Sequence, residues 1–273
     1  MISGIIRPAR RPPGWRAPGP PPLTPPRDEV WPQQGEDLCY LAGDWRILQR
    51  TRGHRFSLDD LVTAHFASTV ARPERLLDLG CGIGSVLLFL AWRFPRARCL
   101  GIEAQRVSAA MARRSVAWNG AEDRVEVRLG DFRAVGIDPG FDLITGTPPY
   151  FPRGTGTESE SVQKGPCRFE HRGGVEAYCQ VATPLLNAGA PFVGCAPSVQ
   201  GERVREAAKE AGLRIERWRD VIPRAGKPPL FSVFAMKREA GETTVMAPLV
   251  VRDERSRRTE EFVQLRAEMG MPP

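Results

Sequence analysis

From residue 75 onward, short apolar runs alternate with longer, mixed stretches. Leu76-Leu77-Asp78-Leu79 is a compact apolar run ending in glycines, the pattern of a strand buried on both faces. Residues 85–94 are apolar almost all round and predict a buried helix that stops near Pro95. Residues 98–102 predict a second strand. Residues 104–118 predict a helix with Arg106, Arg113 and Arg114 outward, closed by Asn119-Gly120. Residues 125–129 alternate as a third strand, and 141–144 make a fourth. A helix over 175–186, a strand over 190–195 and a charged helix over 201–211 follow, the last ended by Gly212. Residues 213–221 and 230–236 supply the final two strands. Strand and helix alternate throughout, so the fold class is α/β: a doubly wound, mostly parallel, seven-stranded sheet with helices on both faces. No internal repeat interrupts it.

The first residues break this pattern. Residues 1–35 hold ten of the 26 prolines, interleaved with Arg7, Arg10, Arg11, Arg16 and Arg27. Each proline removes a backbone donor and fixes φ, so this stretch is expected neither to pair into a sheet nor to run as a helix. The expected organisation is a disordered, basic, Pro-rich arm over 1–35 and one globular domain over 36–273. An organelle transit peptide fits poorly, given the proline density and the shortage of serine.

Composition bounds the rest. The 41% hydrophobic content of these 273 residues excludes wholesale disorder. No apolar run of about 18 residues is present, so no membrane span is expected. Without an apolar core near Met1 a secretory signal is not expected either, and the expected location is cytoplasmic. The six cysteines form no C-x-x-C pair, which points to reduced thiols rather than zinc or disulfides. His54, His65 and His171 are scattered without metal-ligand spacing; they are read as structural, and no metal is expected. A monomer is expected, though nothing in the sequence fixes the oligomeric state. The net charge of +7 hints at a polyanionic partner. The arm carries five arginines against Asp28 and Glu29, however, which leaves only +4 on the domain.

The sharpest local signal is Asp78-Leu79-Gly80-Cys81-Gly82-Ile83-Gly84-Ser85, at a strand-to-helix turn. Glycines there let the backbone approach a ligand closely. A second acid, Glu103, ends the next strand, and a third, Asp131, follows the one after in Gly130-Asp131-Phe132. Ligands of doubly wound sheets bind at the carboxyl ends of the strands, where all three acids fall, and the second acid takes ribose hydroxyls. The turn lacks Gly-x-Gly-x-x-Gly spacing, and Asp78 would repel a pyrophosphate. An acid there suits a cationic amine. These residues resemble the first motif of the class I S-adenosylmethionine-dependent methyltransferases. The resemblance implies that Asp78 and Gly80 hold the methionine end of S-adenosylmethionine along the Gly80, Gly82 and Gly84 turn. Glu103, with Ala104 beside it, would hold the ribose, and Asp131 with Phe132 the adenine.

Past the fourth strand comes Thr147-Pro148-Pro149-Tyr150-Phe151. Two adjacent prolines freeze the backbone just beyond a strand end and leave a carbonyl free to face a ligand amine. Tyr150 and Phe151 add aromatic faces for stacking a planar base. The corner is similar to the Asn-Pro-Pro-Tyr motif of methyltransferases that modify planar exocyclic amines. That resemblance implies catalytic roles for Thr147, Pro148, Pro149 and Tyr150. Thr147 stands where asparagine is usual; it offers one hydroxyl in place of a carbonyl acceptor and an amide donor. Three readings therefore stay open: adenine N6, cytosine N4 or a protein glutamine as acceptor, or a cofactor-binding RNA-binding protein without catalysis.

The order of segments narrows the family. Phe56-Ser57-Leu58-Asp59, ahead of the glycine turn, resembles a Phe-Ser-x-Asp stretch of the bacterial tRNA1(Val) adenine-N6 methyltransferases, and Arg168-Phe169-Glu170 resembles their Arg-x-Glu. The 223–229 hairpin and the segments Pro248-Leu249-Val250-Val251 and Thr259-Glu260-Glu261 are similar as well. The resemblance runs from about residue 44 to 268. It implies tRNA as the substrate and Phe56, Ser57 and Asp59 as further cofactor residues. Arg52, Arg55, Arg153 and Arg168, with Phe151, are the candidate RNA-binding residues.

Overall fold

A computed structural model describes residues 3–22, 27–151, 169–239 and 241–273. Among these, a main sheet runs through β6 (Val125–Leu129), β5 (Arg98–Glu103), β4 (Arg75–Leu79), β7 (Leu143–Gly146), β8 (Phe192–Pro197), β10 (Phe231–Lys237) and β9 (Arg214–Ile222), in that spatial order. β4 to β8 are mutually parallel, and β10 runs antiparallel to both of its neighbours. These are the seven strands expected. Two additions, β11 (Thr244–Val245) and β12 (Leu249–Val250), lie parallel along the outer edge of β9 and bring the sheet to nine. Each is two residues long, too short to stand out as an alternating pattern.

The helices α1 (Leu58–Val70), α2 (Ser85–Arg93) and α3 (Arg106–Trp118) pack on one face, and α4 (Val175–Leu185) and α5 (Gly201–Glu210) on the other. α2 is apolar all round because it is enclosed: it sits among the main sheet, α1 and a second, smaller sheet, and eight of its nine residues are buried. The smaller sheet holds the hairpin β2 (Glu36–Ala42) and β3 (Trp45–Arg50). A C-terminal helix, α6 (Glu260–Glu268), is capped by the Thr259 hydroxyl. Its Glu268 meets His65 of α1 at 2.9 Å.

The arm departs from expectation. Ile5–Ile6 form β1, which pairs parallel with β2. These two residues precede the first proline, so their backbone donors are intact. Beyond them the chain is held by its arginines. Arg7 pairs with the fully buried Asp37 at 2.8 Å, and Arg11 pairs with Asp44 at 2.7 Å while lying over the Tyr40 ring. Among the described residues of the arm, Asp28–Val30 form a short 3-10 helix, and the extended chain before them, with its spaced arginines, found a surface to cover.

Candidate active site

The carboxyl ends of β4, β5, β6 and β7 surround a cleft of about 220 Å3. Its floor is the turn from β4 into α2. Gly80 and Gly82 adopt positive φ (63° and 57°), a region that costs other residues about 1–2 kcal/mol. A Cβ on Gly80 would also meet the Tyr178 hydroxyl at 2.5 Å, whereas one on Gly82 would meet nothing within 4 Å. The backbone N–H groups of this turn are largely committed. Cys81 donates to the Ile102 carbonyl at 3.0 Å, Gly82 to Glu103 Oε2 at 2.9 Å, and Gly84 to the Cys81 carbonyl at 2.8 Å. A phosphate-cradling loop needs those donors free.

The charge of the wall points the same way. Asp59, Asp60, Glu103 and Asp131 line the cleft. Asp78 lies beneath the turn, 2% exposed; its Oδ1 accepts from the Thr145 hydroxyl at 2.8 Å. Its Oδ2 is buried and has no hydrogen-bond partner among the described residues. Burial pushes the Asp78 carboxyl up to about 7, against the pull of the Thr145 hydroxyl. Burial likewise raises Glu103, whose Oε1 also accepts from the Gln105 N–H at 2.6 Å. Asp60 is raised by burial and by the adjacent Asp59 carboxylate. Asp131 alone is lowered, chiefly by the Arg133 guanidinium, which grips both of its oxygens. Such a cleft disfavours a polyphosphate and favours a ligand bearing positive charge.

The opposite wall is the corner after β7. Thr147, Pro148, Pro149, Tyr150 and Phe151 all line the cleft. The Tyr150 hydroxyl donates to Asp59 Oδ2 at 2.9 Å, tying the corner to the start of α1. The Tyr150 carbonyl accepts from Gln200 Nε2 at 2.7 Å, tying it to the turn after β8. Phe151 is 40% exposed at the mouth, its ring 5.8 Å from that of Phe169. Phe132 packs against Tyr178 with ring centroids 4.6 Å apart, closing the far end.

Residues 76–152, which carry both the glycine turn and the corner, match the model of the family described as methyltransferase domain. The chain carries a methyltransferase domain, of the S-adenosylmethionine-dependent kind. It is 29% identical over 213 residues to a protein of Bacteroides thetaiotaomicron named tRNA1(Val) (adenine(37)-N6)-methyltransferase, covering 77% of this chain and 87% of that relative. A Yersinia pestis protein of the same name is 27% identical over 199 residues, covering 72% of this chain and 79% of the relative. Among solved structures, an Agrobacterium tumefaciens protein described as a predicted O-methyltransferase superposes with a TM-score of 0.61 at 20% identity. That match covers 78% of this chain and 98% of the other. A putative transferase from Pyrococcus horikoshii superposes at 0.53 and 16% identity, over 76% and 72% of the two chains. These two likenesses speak for the fold.

Of the residues singled out in the sequence, this methyltransferase brings twelve into one cleft: Asp59, Gly80, Gly82, Glu103, Ala104, Asp131, Phe132 and the five of the corner. Others stand behind it. Gly84 is the N-cap of α2 at φ 87°, Phe56 packs edge-on against Phe89, and Ser57 caps α1, its N–H donating to Asp60 Oδ2 at 2.9 Å. Two of the candidate RNA-binding arginines lie outside the cleft wall. Arg55 is bound to both oxygens of Asp37 at 3.0 Å, where it neutralises a buried acid. Arg52 is exposed and lies outside the cleft wall. Arg153 and Arg168 lie outside the described residues. The cleft also contains His54, Asp60, Cys81, Ser85, Gln105, Arg172, Gly173 and Tyr178, which sequence reasoning did not select. His54, read there as structural, faces the cleft, and burial keeps its imidazole below its ordinary value. Asp60 had a visible signal, since Ser57-x-x-Asp60 is a capping box that also marks the start of α1.

Proposed function

We propose that this methyltransferase transfers a methyl group from S-adenosylmethionine to the exocyclic N6 amine of an adenine in tRNA, in the cytoplasm. The observation that carries this reading is the Thr147–Phe151 corner, fixed by Asp59 and Gln200, opposite the acidic glycine turn.

The buried, unpartnered Asp78 Oδ2 beneath the turn suits the cofactor's ammonium group. In this reading the Gly80–Gly84 turn passes along the methionine portion and Glu103 accepts from the ribose hydroxyls. Phe132, with the lone pairs that Arg133 leaves on Asp131, bounds the adenine end. Bound S-adenosylmethionine supplies a methyl group on positively charged sulfur, already a strong electrophile. The protein's remaining task is placement. The Thr147 hydroxyl and a corner carbonyl accept hydrogen bonds from the base amine and turn its lone pair toward the cofactor side of the cleft. Tyr150 and Phe151 hold the ring plane of a base turned out of its stack. As the new C–N bond forms, the methyl–sulfur bond would break with its electron pair left on the sulfur, and the surplus proton leaves the amine through the open mouth to solvent.

Support for tRNA comes from the two named relatives, each matched along most of its length. The test offers labelled S-adenosylmethionine with unmodified tRNA, with DNA and with total protein in parallel. Label in the tRNA fraction is the expected result. Label in protein selects glutamine, labelled N4-methylcytosine in a digest of the nucleic acid selects cytosine N4, and no label in any fraction selects the non-catalytic reading.

A further inference from the structure

The cleft end of the sheet carries a strongly basic surface. Two turns project there side by side, residues 223–229 between β9 and β10 and residues 252–258 after β12. They are joined by the Ala225 N–H, which donates to the Arg252 carbonyl at 2.8 Å. Together they carry Arg224, Lys227, Arg252, Arg255, Arg257 and Arg258, all exposed, against Asp253 and Glu254. Their net charge of +4 equals that of the whole of residues 36–273. The second turn is held in one shape. Ser256 has the one positive φ outside glycine among the described residues, at 62°, and its carbonyl accepts from Arg252 at 2.6 Å. Its hydroxyl accepts from Arg224 at 3.3 Å, while Arg257 pairs with Asp253.

The register of the sheet relates these turns to the corner. Phe231, where β10 begins, lies opposite Pro197 at the end of β8, and Gly194 of β8 lies beside Gly146, where β7 ends. β9 is three strands from β7, about 14 Å at ordinary strand spacing. Between them the surface is apolar: Val199 is 93% exposed and Leu230 55%, with the Ser198 N–H donating to the Leu230 carbonyl at 3.4 Å. Phe151, Val199, Leu230 and the basic turns thus follow one another across the end of the sheet. In the arm, Arg7, Arg11 and Arg27 are each paired with an acid of the domain, while Arg10 and Arg16 are exposed.

We propose that the 223–229 and 252–258 turns are a docking surface for the RNA substrate, taking backbone phosphates a few nucleotides away from the base held at the Thr147–Phe151 corner. The exposed Val199 and Leu230 would meet unpaired bases or riboses along the way. Phosphate contacts fix register and supply salt-sensitive affinity, while the corner selects the base. This inference rests on the proposed RNA substrate.

The test compares the full-length protein with Arg255→Glu/Arg258→Glu and with Lys209→Glu/Arg214→Glu. The second pair changes charge equally on exposed residues at the opposite end of the sheet. Binding of unmodified tRNA is measured by filter retention across a salt series, and S-adenosylmethionine binding by calorimetry. The first variant is expected to bind tRNA about tenfold or more weakly, with the salt slope reduced by roughly 1.5 to 2. Its cofactor binding should be unchanged, and the second variant should behave like the native protein. Equal binding by native protein and first variant, or equal weakening by both variants, would overturn the docking surface and leave the proposed activity standing. Native protein that retains no RNA would overturn both. Native protein that binds tRNA through these turns yet methylates none would overturn the activity and leave the surface standing.

Discussion

Asp78→Asn separates what the site needs from what the fold prefers. The native carboxyl is buried, with one oxygen hydrogen-bonded and the other unpartnered, and burial pushes it to about 7. An unfolded aspartate titrates near 3.9. The folded pKa is thus raised, so the ionised form opposes folding; the penalty is full above pH 7 and fades as pH falls toward 4. At about 1.4 kcal/mol per unit, the penalty is on the order of 4 kcal/mol at pH 8.5 and under 2 kcal/mol at pH 5. Asparagine keeps the shape and an acceptor for the Thr145 hydroxyl but never ionises. Urea denaturation of the cofactor-free protein should therefore find Asp78→Asn more stable than native at pH 8.5, by up to about 4 kcal/mol, with the gap narrowing at pH 5. Calorimetry at pH 8.5 should find S-adenosylmethionine affinity reduced at least tenfold, the loss expected for one charge-assisted hydrogen bond. A variant less stable than native at both pH values, or one that binds the cofactor undiminished, would refute this account of Asp78.

Other consequences follow from the same geometry. Tyr150→Phe removes the bond to Asp59 and should cost about 1–2 kcal/mol in denaturant melts, lowering turnover while leaving cofactor affinity nearly intact. Gly82→Ala should cost about 1–2 kcal/mol for its positive φ alone, and Gly80→Ala more, because the Tyr178 hydroxyl must also move; thermal melts of the pair measure the difference. Thr147→Ala should reduce kcat with little change in tRNA affinity. Thr147→Asn should retain activity or raise it; activity found only in the asparagine variant would favour the non-catalytic reading of the native protein.

Much of the core was legible because its signals are local. β4, the turn and α2 share a switch from a short apolar run, through glycines, to a helix buried on every side. Glu103 and Asp131 could be placed at strand ends by counting. What sequence alone did not reveal depends on partners far along the chain. The hairpin β2–β3 covers α2 and receives β1, yet its alternation is short, and the cation that neutralises Asp37 comes from Arg7 and Arg55. The same pairing ties Arg55 to a buried acid and anchors an arm expected to be disordered. Tyr178, from the middle of α4, reaches the cleft only because Gly80 and Gly146 lack side chains. The basic turns are split across some thirty residues of sequence and become one surface only through β12 pairing with β9.

The central claim is tested most directly by the identity of the methylated product. Unmodified tRNA incubated with the native protein and isotopically labelled S-adenosylmethionine, digested to nucleosides and analysed by mass spectrometry, should yield labelled N6-methyladenosine. Label in any other nucleoside, or none under conditions where calorimetry shows bound cofactor, would contradict it.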